Sequence, residues 1–333
     1  MSKIKPGKGA PYARIMGVGG YRPTRVVPNE VILETIDSSD EWIRSRSGIA
    51  SRHWASPEET VSAMSVEAAG KAIAAAGIAP EEIGGVIVST VSHFKQTPAI
   101  ATEIAHKVGA GKPAAFDISA GCAGFGYALT LAKGMVVDGS AEYVLVIGVE
   151  RLSDLTDLSD RTTAFLFGDG AGAVVVGPSK EPGIGPSIWG SEGDKSETIR
   201  QTVPWDDYRD GTVEKFPAIT QEGQAVFRWA VFEMAKVAQQ ALDAAGIAPE
   251  DLDVFIPHQA NMRIIDSMVK TLKLPEHVTV ARDVETTGNT SAASIPLAME
   301  RLLATGQAKS GDTALVIGFG AGLAYAATVV TLP

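Results

Sequence analysis

The stretch "AAGIAPEEIGGVIV" occupies residues 75–88 and "AAGIAPEDLDVFIP" occupies residues 244–257, an offset of 169. The tetrapeptide "LVIG" begins at Leu145 and again at Leu315, an offset of 170. Two matches at one spacing mark a duplicated domain, since this period is far longer than the roughly 20–50 residues of a solenoid unit. Each copy reads as a helix, the AGIAPE turn, an apolar strand, a helix and a second apolar strand ending in glycine. In the first copy the strands are "GVIVST" and "YVLVIG", with a helix from about Cys122 to Val137 between them. In the second they are "VFIPHQ" and "TALVIG", with a helix from about Ser291 to Ala304. Short apolar runs alternating with helices predict parallel strands buried on both faces. The fold class is α/β, with an N-terminal half at 1–182 and a C-terminal half at 183–333. A third echo, "GDGAGAVVV" from Gly168 against "GFGAGLAYAATVV" from Gly318, has an offset of only 150. About 20 residues, including "SDLTDLSDRTTAFLF", are therefore inserted in the first copy, on a loop where ligands are commonly met.

Composition narrows the function. Of 333 residues, 45% are hydrophobic and 20% charged, which excludes disorder. The net charge of −10 argues against a nucleic-acid binder. One cysteine forbids an internal disulfide and points to a reducing compartment. The basic start lacks an apolar signal core, and no run approaches about 18 apolar residues, so a cytoplasmic protein with no membrane span is expected. Neither "GVGGY" nor "GDGAG" has the spacing and helix entry of a phosphate cradle. No two of the five histidines have metal-ligand spacing, so no metal site is expected.

The single cysteine lies in "DISAGCAGFGYAL" (117–129). It packs as a small core hydrophobe or acts as a nucleophile, and the duplication favours the second. An offset of 170 sets Cys122 opposite Ala292 in "TTGNTSAASIPLAM", and 169 sets His258 opposite Ser89. Strand ends and the starts of following helices lie at one edge of a parallel sheet. Cys122, His258 and Asn289 can therefore converge although they are 136 and 31 residues apart. Gly121 allows a tight turn, and a helix N-terminus would favour a thiolate. His258 is followed by Gln259 and Asn261, a polar cluster that a packed core histidine does not need.

"DISAGCAGFGYAL", "IPHQANMRII", "ETTGNTSAASIP", "GFGAGLAYAATVV" and the N-terminal "SSDEWIRSRSGIASRH" resemble the thiolase-fold condensing enzymes, specifically the β-ketoacyl-acyl-carrier-protein synthase III family. The resemblance covers nearly the whole chain. Biosynthetic thiolases need a second cysteine, absent here, and elongating synthases use two histidines where this chain has His258 and Asn289. The resemblance implies layers α/β/α/β/α with two mixed, mostly parallel sheets. It implies acylation of Cys122 by a short acyl-CoA, then decarboxylative Claisen condensation with malonyl-acyl carrier protein, initiating fatty acid synthesis.

Decarboxylation builds negative charge on the malonyl thioester oxygen, which wants neutral or positive donors. His258 and the Asn289 amide meet that need. The backbone N–H groups of Cys122 and Ala321 would form an oxyanion hole for the acyl carbonyl. The resemblance further implies that Trp42 and Arg161 sandwich the CoA adenine, with Arg46, Gly223, Phe227 and Asn261 along the tunnel. Arg228, Arg263 and Lys270 would dock the acidic carrier. Thr97, Leu166 and Phe167 would bound the acyl pocket. Thr97 would reach it across a homodimer interface, and in place of a bulky aromatic it would admit C4–C5 starters. No cofactor is implied, acyl-CoA being a substrate. Three alternatives remain open: a Cys–His–Asn thioester hydrolase, a type III polyketide-like synthase using CoA extenders, and a non-catalytic acyl-binding scaffold.

Overall fold

The computed structural model describes residues 4, 5 and 7–333. Two five-stranded sheets are built from successive parts of the chain. The first contains β1 (Tyr12–Tyr21), β2 (Ile83–Ser89), β3 (Ala114–Ile118), β4 (Tyr143–Arg151) and β5 (Asp169–Ser179), in the order β1-β5-β4-β2-β3. The second contains β6 (Ile188–Ser191), β7 (Val254–Pro257), β8 (Thr279–Val280), β9 (Thr313–Gly320) and β10 (Ala324–Thr331), in the order β6-β10-β9-β7-β8. The two orders are the same path drawn twice. Four strands of each sheet run one way, and β5 or β10 runs against its two neighbours. The sheets are thus mostly parallel by direction, while half of their pairings are antiparallel.

The repeated AGIAPE turn has one physical cause. Gly77 and Gly246 end their helices in the left-handed region at φ 67°, ψ 29° and φ 68°, ψ 29°, where a Cβ is penalised. Pro80 and Pro249 then open single 3₁₀ turns that deliver the chain to β2 and towards β7.

Helices Gly124–Asp138 and Ser294–Ala304 lie between the sheets. Phe125, Leu129, Ile295 and Met299 pack there against Ile87 and Val146 of one sheet and Ile256 and Val316 of the other. The outer face of the first sheet sends Val86, Val88, Leu145 and Ile147 under helices Val61–Ala76 and Ile100–Lys107. The outer face of the second is covered by helices Met234–Ala245 and Met262–Leu272. Alternate residues of each strand therefore face different cores, which is why the strands read as unbroken apolar runs. The layers are α/β/α/β/α. The break expected at 182/183 falls between β5 and β6.

The third echo has a different meaning from its sequence alignment. Gly148 pairs with Gly172 and Gly318 with Ala326, so β5 and β10 are related by 154 residues rather than 150. "GDGAG" leads into β5, its last four residues within the strand, whereas "GFGAG" ends β9 and turns towards β10. The insertion is accordingly about 16 residues, and it folds as a 3₁₀ turn (Leu152–Leu155) followed by turns up to Phe167.

Candidate active site

Cys122 sits in a 3₁₀ turn (Gly121–Ala123) that leads into helix Gly124–Asp138. Gly121 takes φ 50°, a left-handed conformation that glycine adopts without penalty. Across from it, β9 can approach only because Gly320 lacks a side chain: a Cβ there would lie 2.8 Å from Cys122 Sγ. The glycines of "GFGAG" thus make room for the thiol.

His258 follows β7 and is buried. Its backbone N–H donates to Ile317 O at 2.7 Å, and its ring stands edge-on to Phe319, centroids 5.4 Å apart. Its Nδ1 lies 2.7 Å from Ser294 Oγ. That oxygen also accepts from the Gln259 N–H at 3.3 Å, and when it donates its own proton to Nδ1 the imidazole proton is on Nε2. Burial lowers the His258 pKa to about 3, so the ring is neutral. The polar neighbours have structural work: Gln259 bridges Pro257 O and Ala281 O, and Asn261 caps the next helix.

Asn289 is held by its backbone in a short bridge to the end of the insertion. Its N–H donates to Leu166 O at 2.9 Å, and its carbonyl accepts from the Gly168 N–H at 3.0 Å. Its side-chain Oδ1 accepts from the Ser291 N–H at 2.9 Å, leaving the Nδ2 donors for the cavity. Cys122, His258 and Asn289 all line one apolar cavity of about 180 Å³. Ala321 lines it too, beside Gly121 and Gly320.

Burial pushes the Cys122 thiol up to about 11, while the Ser291 hydroxyl and the N–H groups of Cys122 and Ala321 pull the other way; by accessible surface the residue is only partly buried, at the wall of the cavity. One expectation about the cavity needs correction. Phe167 lines the cavity, but Leu166 does not. The Leu166 side chain is buried behind the cavity wall, in the same cluster as Phe167, Leu152 and Leu155, and its carbonyl accepts from the Asn289 N–H. Leu152, Leu155 and Val91, which sequence reading missed, line the cavity instead. The signal for the two leucines was available, since both lie in the inserted segment.

Thr97 is exposed and does not line this chain's cavity. Phe94, in the same loop, is held by Trp205 and Phe216 at centroid distances of 5.4 and 5.6 Å, in an exposed aromatic group. Trp42, Arg46 and Arg161 do come together, but not as a sandwich. The Arg161 guanidinium carbon is 5.0 Å from the Trp42 ring centroid and that of Arg46 is 5.8 Å away. An intervening ring needs about 7 Å, two van der Waals separations. Asn261 is engaged at both ends, accepting from the Arg263 N–H at 2.8 Å and donating to Arg46 O at 3.1 Å. Gly223 opens helix Gly223–Phe232, exposed, with Phe227 one turn on. Arg263 covers Phe227, its guanidinium 4.8 Å from the ring centroid, while Arg228 and Lys270 are exposed.

Family models match two segments: 3-oxoacyl-[acyl-carrier-protein] synthase III over residues 116–193 and its C-terminal counterpart over 242–332. The chain is 86% identical over 333 residues to the β-ketoacyl-[acyl-carrier-protein] synthase III of Streptomyces glaucescens, covering 100% of both. It is 54% identical to the mycobacterial β-ketoacyl-[acyl-carrier-protein] synthase III of Mycobacterium marinum, covering 100% of this chain and 99% of that one. Among solved structures, a priming β-ketosynthase from a polyketide biosynthetic pathway superposes with a TM-score of 0.97 at 47% identity, covering 100% of this chain and 99% of the other. The synthase III of Aquifex aeolicus superposes at 0.88 with 38% identity, over 96% and 99% of the two chains. With one thiol, one neutral imidazole and one amide converging on a single cavity of a twice-written α/β fold, the chain belongs to the β-ketoacyl-[acyl-carrier-protein] synthase III family of thiolase-fold condensing acyltransferases.

Proposed function

We propose that this chain joins a short acyl group, delivered on coenzyme A, to the malonyl group of an acyl carrier protein, releasing CoA and CO2. The convergence of Cys122, His258 and Asn289 on one apolar cavity carries this reading. Cys122 takes the acyl group as a thioester, dividing a hard condensation into two easier steps. The N–H groups of Cys122 and Ala321 hold the acyl oxygen. His258 Nε2–H and Asn289 Nδ2 then donate to the malonyl thioester oxygen as CO2 leaves, and a neutral imidazole suits that work.

Leu152, Leu155, Phe167 and Val91 give the acyl chain an apolar bed. Trp42, Arg46 and Arg161 take the CoA adenine after Arg161 withdraws by about 2 Å, the difference between its present contact and a stacked triple layer. Gly223, Phe227 and Asn261 flank the path from there to the cavity. Arg228, Arg263 and Lys270 dock the acidic carrier. The working form is a homodimer in the cytoplasm, and among the described residues no helix is long and apolar enough to cross a membrane. The likeness to a priming ketosynthase favours a second role for the same chemistry, starting a polyketide chain. Kinetics with the carrier proteins of the two pathways decide between the roles.

Incubating the protein with radiolabelled acetyl- or isobutyryl-CoA and malonyl carrier tests the reaction. Wild type is expected to retain one label on Cys122 and, with malonyl carrier, to release CO2. Asn289→Ala is expected to form the acyl-enzyme in a single turnover but to lose about 100–1,000-fold in condensation, the cost of one oxyanion donor. Failure of that variant to acylate would remove Asn289 from the decarboxylation step.

A further inference from the structure

Asn289 is held through both its backbone groups by Leu166 and Gly168, at the end of the insertion. The insertion is held in turn by the short strand Ser51–Trp54, which lies outside both five-stranded sheets and pairs with Arg25–Pro28. Arg52 of this strand is fully buried, and its Nη2 donates to Phe165 O at 2.8 Å and to Asn29 Oδ1 at 2.7 Å. Its Nη1 donates to Val27 O at 3.2 Å. Trp54 Nε1 donates to Phe167 O at 3.3 Å. The start of the strand grips the chain that leads into Asn289: the Ala50 N–H donates to Glu285 O at 2.7 Å, and Ser51 Oγ to Thr286 O at 3.2 Å. Two glycines admit the arginine stem between these segments. A Cβ on Gly168 would lie 3.3 Å from Arg52 Cβ, and one on Gly288, at φ 73°, only 2.8 Å from it.

All three acceptors of Arg52 are neutral oxygens, so burying its charge gives up solvation that an apolar side chain of the same length would not. What the guanidinium adds is direction, because its rigid fork fixes three separate stretches of chain relative to one another. Direction matters at Asn289, where a misplacement of about 1 Å can cost about 100-fold in rate. The stretch that holds Asn289 also reaches the proposed adenine seat. Phe165 stands edge-on to Trp42, ring centroids 5.5 Å apart, and Arg161, four residues earlier, lies over the same ring. One end of Arg161–Gly168 must therefore yield to coenzyme A while the other keeps still, and Arg52 bonds the carbonyl between them. We propose that Arg52, with Trp54 beside it, is a positioning residue for the condensation: it fixes Phe165–Gly168 so that the Asn289 amide stays aimed at the malonyl oxygen. The proposal rests on the reading of Asn289 as a donor in the decarboxylation.

Single-turnover acylation by labelled acyl-CoA, measured beside CO2 release from malonyl carrier, separates this role from a merely structural one. Arg52→Met keeps a stem of similar length without the donors, and is expected to slow CO2 release about 10–100-fold while acylation stays within about threefold of wild type. Arg52→Lys keeps the charge but offers one nitrogen to three acceptors, and should fall between wild type and Arg52→Met. In an Asn289→Ala background, Arg52→Met should cost less than about threefold more, because it acts through an amide already removed, whereas independent structural damage would multiply the two losses. Multiplied losses, or equal losses in both half-reactions, would overturn the proposal. Trp54→Phe, which keeps a ring and removes only the donor to Phe167 O, decides the matter where Arg52→Met does not fold. Several-fold slower CO2 release at unchanged acylation supports the proposal there, and an unchanged ratio of the two rates overturns it. If Asn289→Ala itself releases CO2 at the wild-type rate, the assignment of Asn289 fails instead.

Discussion

A single hydroxyl, Ser294 Oγ, is the partner of His258 Nδ1, and by donating to it holds the imidazole proton on Nε2 in the proposed mechanism. Without it the neutral ring can place its proton on Nδ1, and Nε2 then meets the developing enolate with a lone pair instead of a donor. Ser294→Ala is expected to lower CO2 release from malonyl carrier about 100-fold, the scale of one lost oxyanion donor. Acylation of Cys122 should change far less, because Ser294 acts through the imidazole alone; stopped-flow acylation beside a CO2 assay reads the split. Ser294 was visible in "TSAASIP" as one of several small residues, with nothing local to single it out. Its partner lies 36 residues away, and only the packing of helix Ser294–Ala304 beside β7 brings them together. The reactive residue types were legible because chemistry restricts them, whereas the hydroxyl that orients one of them is ordinary until the fold is known.

The proposed carrier patch belongs to two helices, Gly223–Phe232 and Met262–Leu272. Arg263 lies over Phe227, so a change there disturbs a group proposed to line the CoA path. Arg228 is the cleaner probe, exposed on the adjoining helix. Arg228→Glu is expected to raise KM for malonyl carrier several-fold while leaving acylation by acyl-CoA near wild type. The wild-type carrier step should weaken with salt, as charges screen over about 10 Å at 0.1 M. Steady-state kinetics with both substrates at two ionic strengths checks this. Elements announced by repeated chemistry were the easiest to read. The AGIAPE turn, the buried strands and the helix starts near Cys122 and Ser291 all follow from periodicity and glycine placement. The pairing of Ile199–Gln201 with Ile219–Gln221 carries no such mark, and both segments help close the cavity. "GDGAG" misled because its glycines answer to close packing: Gly172 lies against the Pro296 ring and would clash through a Cβ at 2.7 Å.

At the scale of the molecule, the proposed homodimer gives Thr97 a role that one chain does not. If the 92–98 loop closes the partner's pocket, Thr97→Phe is expected to lower kcat/KM for isobutyryl-CoA relative to acetyl-CoA by roughly 15-fold, two buried carbons at about 0.8 kcal/mol each. Equal effects on both substrates would move the pocket floor elsewhere. The shared middle layer has a consequence in time. Ile87, Val146 and Val174 of the first sheet are finished partly by residues of the last helix and strands, such as Met299 and Val316. On the ribosome, the roughly 115 residues from the end of β5 to helix Ser294–Ala304 take on the order of ten seconds to emerge, at about 5–20 residues per second. Throughout that interval an apolar sheet face awaits its cover, so the newborn chain passes through a stage open to chaperones and to wrong partners, and the same interior that makes the finished enzyme stable makes its birth hazardous.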